Sequence, residues 1–220
     1  MEISCYLSDL AIVPGVHLPI RSTVIPLAKG KLLISPIKFS PAQINEIQKG
    51  GEVTDIIAPN LIHNLHIEEA TKNFPGATLW GTEGYPDKLP KIGWQKILGI
   101  AHWPYNDEVE IIKIEGAPKV NEFAFFHKPS KTLVVTDLCF NISEPKGMFA
   151  PMVFRLFGTF KKLAVSKMWN GYIKDKTAFQ ASVKRLLQWN FDRLIVAHGD
   201  IVQQNTRPAL EQALREKKLI

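Results

Sequence analysis

One feature constrains this chain more than any other, and it occurs three times. An apolar run of strand length stops and empties into polar, chemistry-bearing residues. Ile56-Ile57-Ala58 stops at Pro59, and Asn60, His63, Asn64 and His66 follow before a helix-like run. Thr132-Leu133-Val134-Val135-Thr136 ends in Asp137. Arg193-Leu194-Ile195-Val196-Ala197 ends in His198-Gly199-Asp200. Short apolar runs bounded in this way predict buried strands. Open α/β folds put their chemistry just past such strand ends. The three ends are therefore expected to converge, with the other segments supporting them.

The intervening sequence fits that plan. Strands are expected over 10–13, 16–19, 23–28, 31–35, 54–58, 77–80, 96–100, 109–114, 120–126, 132–136 and 193–197, with a hairpin at Lys29-Gly30. Ser40-Pro41-Ala42-Gln43 has capping-box spacing and opens a helix over 41–49. Further helices are expected at about 66–73, 150–162, 178–189 and 207–217, the last capped by Thr206. Strands crowd the first half and the middle rather than alternating with helices. This predicts an α/β sandwich in layers, not a doubly wound sheet.

Composition sets outer bounds. The 220 residues are 45% apolar and 22% charged, enough for a substantial core in a single domain over 1–220. No apolar run approaches the ~20 residues of a membrane span. The N-terminus lacks a basic region before an apolar one, so no signal peptide is expected. Cys5 and Cys139 are far apart and read as ordinary thiols of a cytoplasmic protein. The net charge is +6, and much of the excess lies in Arg155, Lys161, Lys162, Lys167, Lys174 and Lys176, interleaved with aromatics. Such a mixture can meet nucleic acid or an anionic surface. No nucleic-acid motif accompanies it, so the favoured reading is an amphipathic helix with solvated lysines. Oligomeric state is not encoded in any motif.

Imidazole and carboxylate at strand ends are transition-metal donors. His63, Asp137 and His198 are the candidate ligands, and Asp137 could alternatively act as a general base. Asn60 and Asn141 suit hydrogen bonds to turn backbone as well as a site, and Asn64 could assist. Glu122 lies on the stripe Val120, Glu122, Ala124, Phe126. It either faces the core, where it needs a partner or metal, or faces out while Phe123 and Phe125 are buried. His66 reads as a helix N-terminal residue. Cys139 reads as a buried thiol rather than a nucleophile. The chain has no P-loop, no GxGxxG after a strand and no GxSxG, which leaves nucleotide, dinucleotide and serine-hydrolase chemistry without motifs.

The order of these segments resembles the metallo-β-lactamase superfamily. Residues 31–35 are similar to its first strand and 54–64 to its H-x-H-x-D-H turn. Residues 131–137 are similar to its strand ending in Asp, and Ile195-Val196-Ala197-His198-Gly199 to its last motif. Ile34-Ser35-Pro36, Ala58-Pro59-Asn60, Phe74-Pro75-Gly76-Ala77 and the run 136–141 resemble, more narrowly, an uncharacterised bacterial branch labelled as a domain of unknown function. The resemblance implies a four-layer αββα sandwich with a metal site.

The departures shape what it implies. Pro59 and Leu61 stand where two first-metal histidines belong, and the third falls near Ala117. His63 stands at the usual aspartate, Asn64 at the histidine after it, and Ser35 at the acidic residue of the first motif. The implied site has lost one metal and keeps donors for at most one Zn or Fe ion, at His63, Asp137 and His198. The implied function is a metal-dependent hydrolase acting on a small-molecule substrate. The alternative is a catalytically silent relative that binds a small ligand or protein partner through the same cleft.

Overall fold

The computed structural model describes residues 2–220. The chain divides into two compact units, Met1–Ser8 with Arg21–Pro104, and Asp9–Ile20 with Tyr105–Ile220.

The first unit is built on a six-stranded sheet in simple sequence order. Its strands and helices are β1 (Ser4–Val13), β2 (Val16–Pro26), β3 (Lys31–Ile34), α1 (Pro41–Gln48), β4 (Val53–Ile57), α2 (Ile67–Asn73), β5 (Thr78–Gly81), α3 (Tyr85–Lys88) and β6 (Lys96–Ile97). The outer parts of β1 and β2, residues 9–13 and 16–20, belong to the second unit. The hairpin at Lys29-Gly30 is present, with Leu27 N–H on Gly30 C=O, and joins β2 to β3 antiparallel. β3, β4, β5 and β6 then run parallel. Parallel strands are covered on both faces, which is why Ile56, Ile57 and Ala58 are wholly buried. The Ser40–Gln43 capping box forms as expected and opens α1. At its other end the buried Lys31 ammonium donates to Ile47 O and Lys49 O, each at 2.6 Å, which satisfies the carbonyls a helix leaves bare.

The second unit carries β7 (Val109–Lys113), β8 (Phe123–His127), β9 (Thr132–Val135), β10 (Phe140–Asn141), α4 (Ala150–Phe157), β11 (Leu163–Ala164), α5 (Lys167–Tyr172), α6 (Lys176–Leu186), β12 (Arg193–Val196) and α7 (Thr206–Arg215). Its main sheet has the order β12-β9-β8-β7, and β10 pairs with β11. Leu133, Val135, Trp169, Phe179, Val183, Leu194 and Leu210 anchor one apolar cluster.

Some boundaries differ from the sequence reading. β8 starts at Phe123, because Asn121 takes a left-handed φ of 51°. Its residues are buried on both faces, so the choice between an inward Glu122 and inward phenylalanines was false. The helix expected over 150–162 stops at Phe157, where Gly158 turns left-handed and closes on Phe154 O and Arg155 O. Thr206 does not cap α7. Asn205 holds that position, and the Thr206 hydroxyl donates to Asp192 O at 2.7 Å.

Candidate functional site

The second unit brings two of the predicted donors together by register. β9 and β12 are parallel neighbours, with Val135 opposite Val196. Asp137 and His198 each lie two residues further on, so they leave the sheet side by side. Asp137 Oδ1 and His198 Nε2 are 3.2 Å apart, and both side chains are buried.

Each partner is held from behind. His198 Nδ1 is 2.9 Å from the Pro19 carbonyl oxygen. A carbonyl only accepts, so Nδ1 carries the proton and Nε2 is the nitrogen turned to Asp137. Phe140 stacks on the imidazole, with centroids 4.7 Å apart and planes 13° from parallel. The loop after His198 is zipped to Asn141. Asn141 N–H donates to His198 O at 2.9 Å, and Asp200 N–H donates to Asn141 O at 2.7 Å. Asn141 Nδ2 also donates to Asp200 O at 3.0 Å, a backbone group 59 positions on rather than one of its own turn. Only glycine allows this approach. Gly199 has φ +105°, and a Cβ there would sit 2.0 Å from Asn141 O.

Asp137 is positioned by Glu122. The Glu122 carboxylate is wholly buried and accepts Thr136 N–H at 2.7 Å and Asp137 N–H at 3.2 Å. Trp169 Nε1–H reaches the same carboxylate at 3.4 Å. Burial pushes the Glu122 carboxyl up to about 7, the Asp137 charge adds to this, and the backbone donors oppose it. Glu122 is thus a clamp on the loop that carries Asp137. Cys139 is also buried, and burial pushes its thiol up, so it is no nucleophile.

In the first unit, the polar turn after β4 is built around Asn60. Its side-chain oxygen accepts Ile62 N–H at 2.8 Å and His63 N–H at 2.9 Å. Tyr85 O–H donates to Asn60 C=O from below. The turn presents His63, whose Nδ1 lies 2.5 Å from Ser35 Oγ. Ser35 follows β3 in a left-handed conformation, φ 54°, and its N–H is bonded to Ile57 O. Asn64 contributes its backbone carbonyl to Ile67 N–H at the start of α2. His66 holds the N-cap position of α2, with Nδ1 3.5 Å from Glu69.

Two positions that the resemblance matches to first-metal donors are packing positions. Ala117 belongs to the apolar core of the second unit. Leu61 methyl carbons lie about 3.5 Å from where a Cβ on Gly84 would stand. Sequence reasoning did not find Pro19, Phe140 or Trp169. The Pro19 contact is made by a backbone carbonyl 179 positions from His198, which no side-chain pattern can signal.

The fold of the chain is that of the metallo-β-lactamases among solved structures. A metallo-β-lactamase from Pontibacter korlensis matches with a TM-score of 0.68 and 13% identity, over 99% of this chain and 95% of its own. A metallo-β-lactamase from Hirschia baltica matches with a TM-score of 0.63 and 10% identity, over 98% and 93%. The metal-soaked Flv1 flavodiiron core from Synechocystis sp. PCC6803 matches with a TM-score of 0.64 and 11% identity, over 98% of this chain and 59% of its own. The expected αββα fold class is therefore the observed one. Within it, the chain belongs to the family described as Domain of unknown function (DUF4336), which matches residues 6–156. No curated protein matches the chain.

Proposed function

We propose that this protein is a metal-dependent hydrolase-like protein with a one-metal site made by His63, Asp137 and His198. The observation that carries this is the Asp137–His198 pair. With Nδ1–H committed to Pro19, the neutral His198 ring turns a lone pair towards a carboxylate oxygen 3.2 Å away. Two acceptors face each other there only if a proton or a cation lies between them. An imidazole tied through its other nitrogen to a carbonyl is also the usual preparation of a metal-ligating histidine. The donor set, two imidazoles and a carboxylate, fits Zn²⁺ or Fe²⁺.

The chain's own groups divide the work. Pro19 and Phe140 fix the His198 ring, Glu122 fixes the Asp137 loop, and Ser35 fixes the His63 ring. A bound ion would supply Lewis acidity and bring the pKa of a coordinated water towards neutrality, suited to an ester, lactone, thioester or phosphoester substrate.

A second reading has its own support. Ala117 in the apolar core and Leu61 against Gly84 leave no first-metal donors at those positions. In that reading the Asp137–His198 contact is a structural one, and the protein binds a ligand or partner without catalysis. Elemental analysis of protein purified without chelator separates the two. About one equivalent of zinc or iron, lost in His198→Ala, supports the metal site. Protein that stays metal-free after incubation with either ion supports the silent reading.

A further inference from the structure

Among the described residues no helix is long and apolar enough to cross a membrane, yet the second unit carries a surface of unusual chemistry. Apart from Arg155, α4 is apolar on both its inner and outer faces. Its inner face packs Ala150 and Phe154 on Val16, Phe140 and Ile142. Its outer face carries Met152 and Leu156, one turn apart, and Met148 and Phe149 stand exposed just before its first turn. Met148 is 78% exposed, Met152 57% and Leu156 65%. The hairpin between β1 and β2 extends the same patch. Phe149 N–H donates to Gly15 O at 3.1 Å, and Ile12 and Val13 beside that tip are exposed. A soluble face of this kind is normally covered by something.

The charge around the patch says what the cover is. From Pro145 to Lys174 there are six cationic residues, Lys146, Arg155, Lys161, Lys162, Lys167 and Lys174, and no acid. Taking six from the 27 basic residues leaves 21, equal to the 21 acids. The whole net charge of the chain therefore sits in this one stretch. Arg155 and Lys161 lie over the Phe160 ring, 4.1 and 5.6 Å from its centroid. Lys162 and Lys167 are close enough to Lys217 to disfavour its charge, after burial the main causes of its lowered pKa. Glu216, bonded to Lys162, is a local acid from outside the stretch, and Asp9 pairs with Lys146.

We infer that the outer face of α4, with the tip of the β1–β2 hairpin and the cations from Arg155 to Lys167, docks on an anionic lipid surface. Apolar side chains beside a field in which cations outnumber acids match the acyl boundary and the headgroups together. A second copy of the chain fits poorly, because a twofold contact sets this patch against itself, cation to cation. Nucleic acid fits the charge but not the exposed Met and Leu side chains, since strands are gripped by stacking aromatics. The docked face lies on the packing layer that includes Phe140, the residue stacked on His198.

The test is co-sedimentation of the full chain with phosphatidylcholine vesicles, with and without phosphatidylserine, at low and high salt. Binding only to the anionic vesicles, weakened by salt, is expected. The variant Met148→Ser/Met152→Ser/Leu156→Ser should bind about a hundredfold more weakly. The variant Lys161→Gln/Lys167→Gln should lose about thirtyfold. All five side chains are exposed, and unchanged circular dichroism would show that both variants fold. The inference is overturned by the absence of vesicle binding, or by binding that ignores the apolar triple variant. It is equally overturned if RNA displaces the protein from vesicles while the triple variant binds RNA as tightly as the parent. A dimer that dissociates in the triple variant, with no vesicle binding, would assign the face to a second copy.

Discussion

Asp137 and His198 stand 61 positions apart in the chain and 3.2 Å apart in space. The contact follows from the register of two parallel strands, Val135 opposite Val196, with each donor the second residue beyond. Nothing local to either residue produces it. What keeps it is a set of backbone bonds: Glu122 on the loop before Asp137, and Asn141 on the loop after His198.

Glu122 is the most exacting part of that set. In Glu122→Ala, Thr136 N–H and Asp137 N–H lose their buried acceptor. Stranding two donors costs roughly 2–5 kcal/mol, read as a lower urea midpoint with an unchanged slope. Glu122→Gln keeps one acceptor oxygen and should lose about half as much. A stability loss in the alanine variant no larger than that of an exposed glutamate would show that the clamp is not holding the loop.

Gly199→Ala tests the other side. A methyl group there meets Asn141 O at 2.0 Å, and φ of +105° is strained for any L side chain. Relief requires the His198–Asp200 segment to move away from Asn141. Roughly 2–4 kcal/mol of stability should be lost, and the amides of Asn141 and Asp200 should lose protection in hydrogen exchange. If both amides remain as protected as in the parent, the zipper between these loops is not what fixes His198.

The sequence exposed the strand ends well and the supports poorly. Apolar runs that stop at Asp137 and His198 are visible because burial demands them. The pairing of β9 with β12 is not, because parallel register is set by long-range packing. Glu122 was noticed as a carboxylate on an apolar stripe, but its orientation could not be read. Alternation assigns one wet face, and β8 has none, since all its residues are buried. Asn60 was legible as a turn residue because its acceptor serves N–H groups only two and three positions away. Pro19 was invisible because it acts through a backbone carbonyl. The end of α4 was misplaced because helical apolar spacing continues past Gly158, the residue that stops it.

His127 gives the protein an acid-side sensitivity away from the donors. Its Nδ1 is 2.7 Å from Ser130 Oγ, and burial holds its pKa below the ordinary 6.5, against the pull of the Glu108 charge. The folded state favours the neutral ring more than the unfolded chain does. The stability this provides is complete above pH 6.5 and is lost as pH falls through the lowered value. The slope cannot exceed about 1.4 kcal/mol per pH unit. His127→Asn leaves an amide near Ser130 and removes the titration, so its stability should vary less on the acid side. Parallel acid profiles for parent and variant, measured by urea unfolding, would assign the sensitivity to other groups.

Ser35 stands where the superfamily's first motif carries an acid, and it reaches His63 Nδ1 at 2.5 Å. For His63 to offer Nε2 to an ion, Nδ1 must carry the proton and donate it to Ser35 Oγ. Ser35→Ala removes that acceptor and frees the ring to turn. Metal affinity should drop by about 10–100-fold, while overall stability changes by about 1 kcal/mol. Ser35→Asp supplies a stronger acceptor at a position whose left-handed backbone suits aspartate, and should tighten binding above the parent. Titration against a competing chelator reads both. Equal affinities across the three proteins would mean that His63 is not a ligand, and that any bound ion rests on Asp137 and His198 without it.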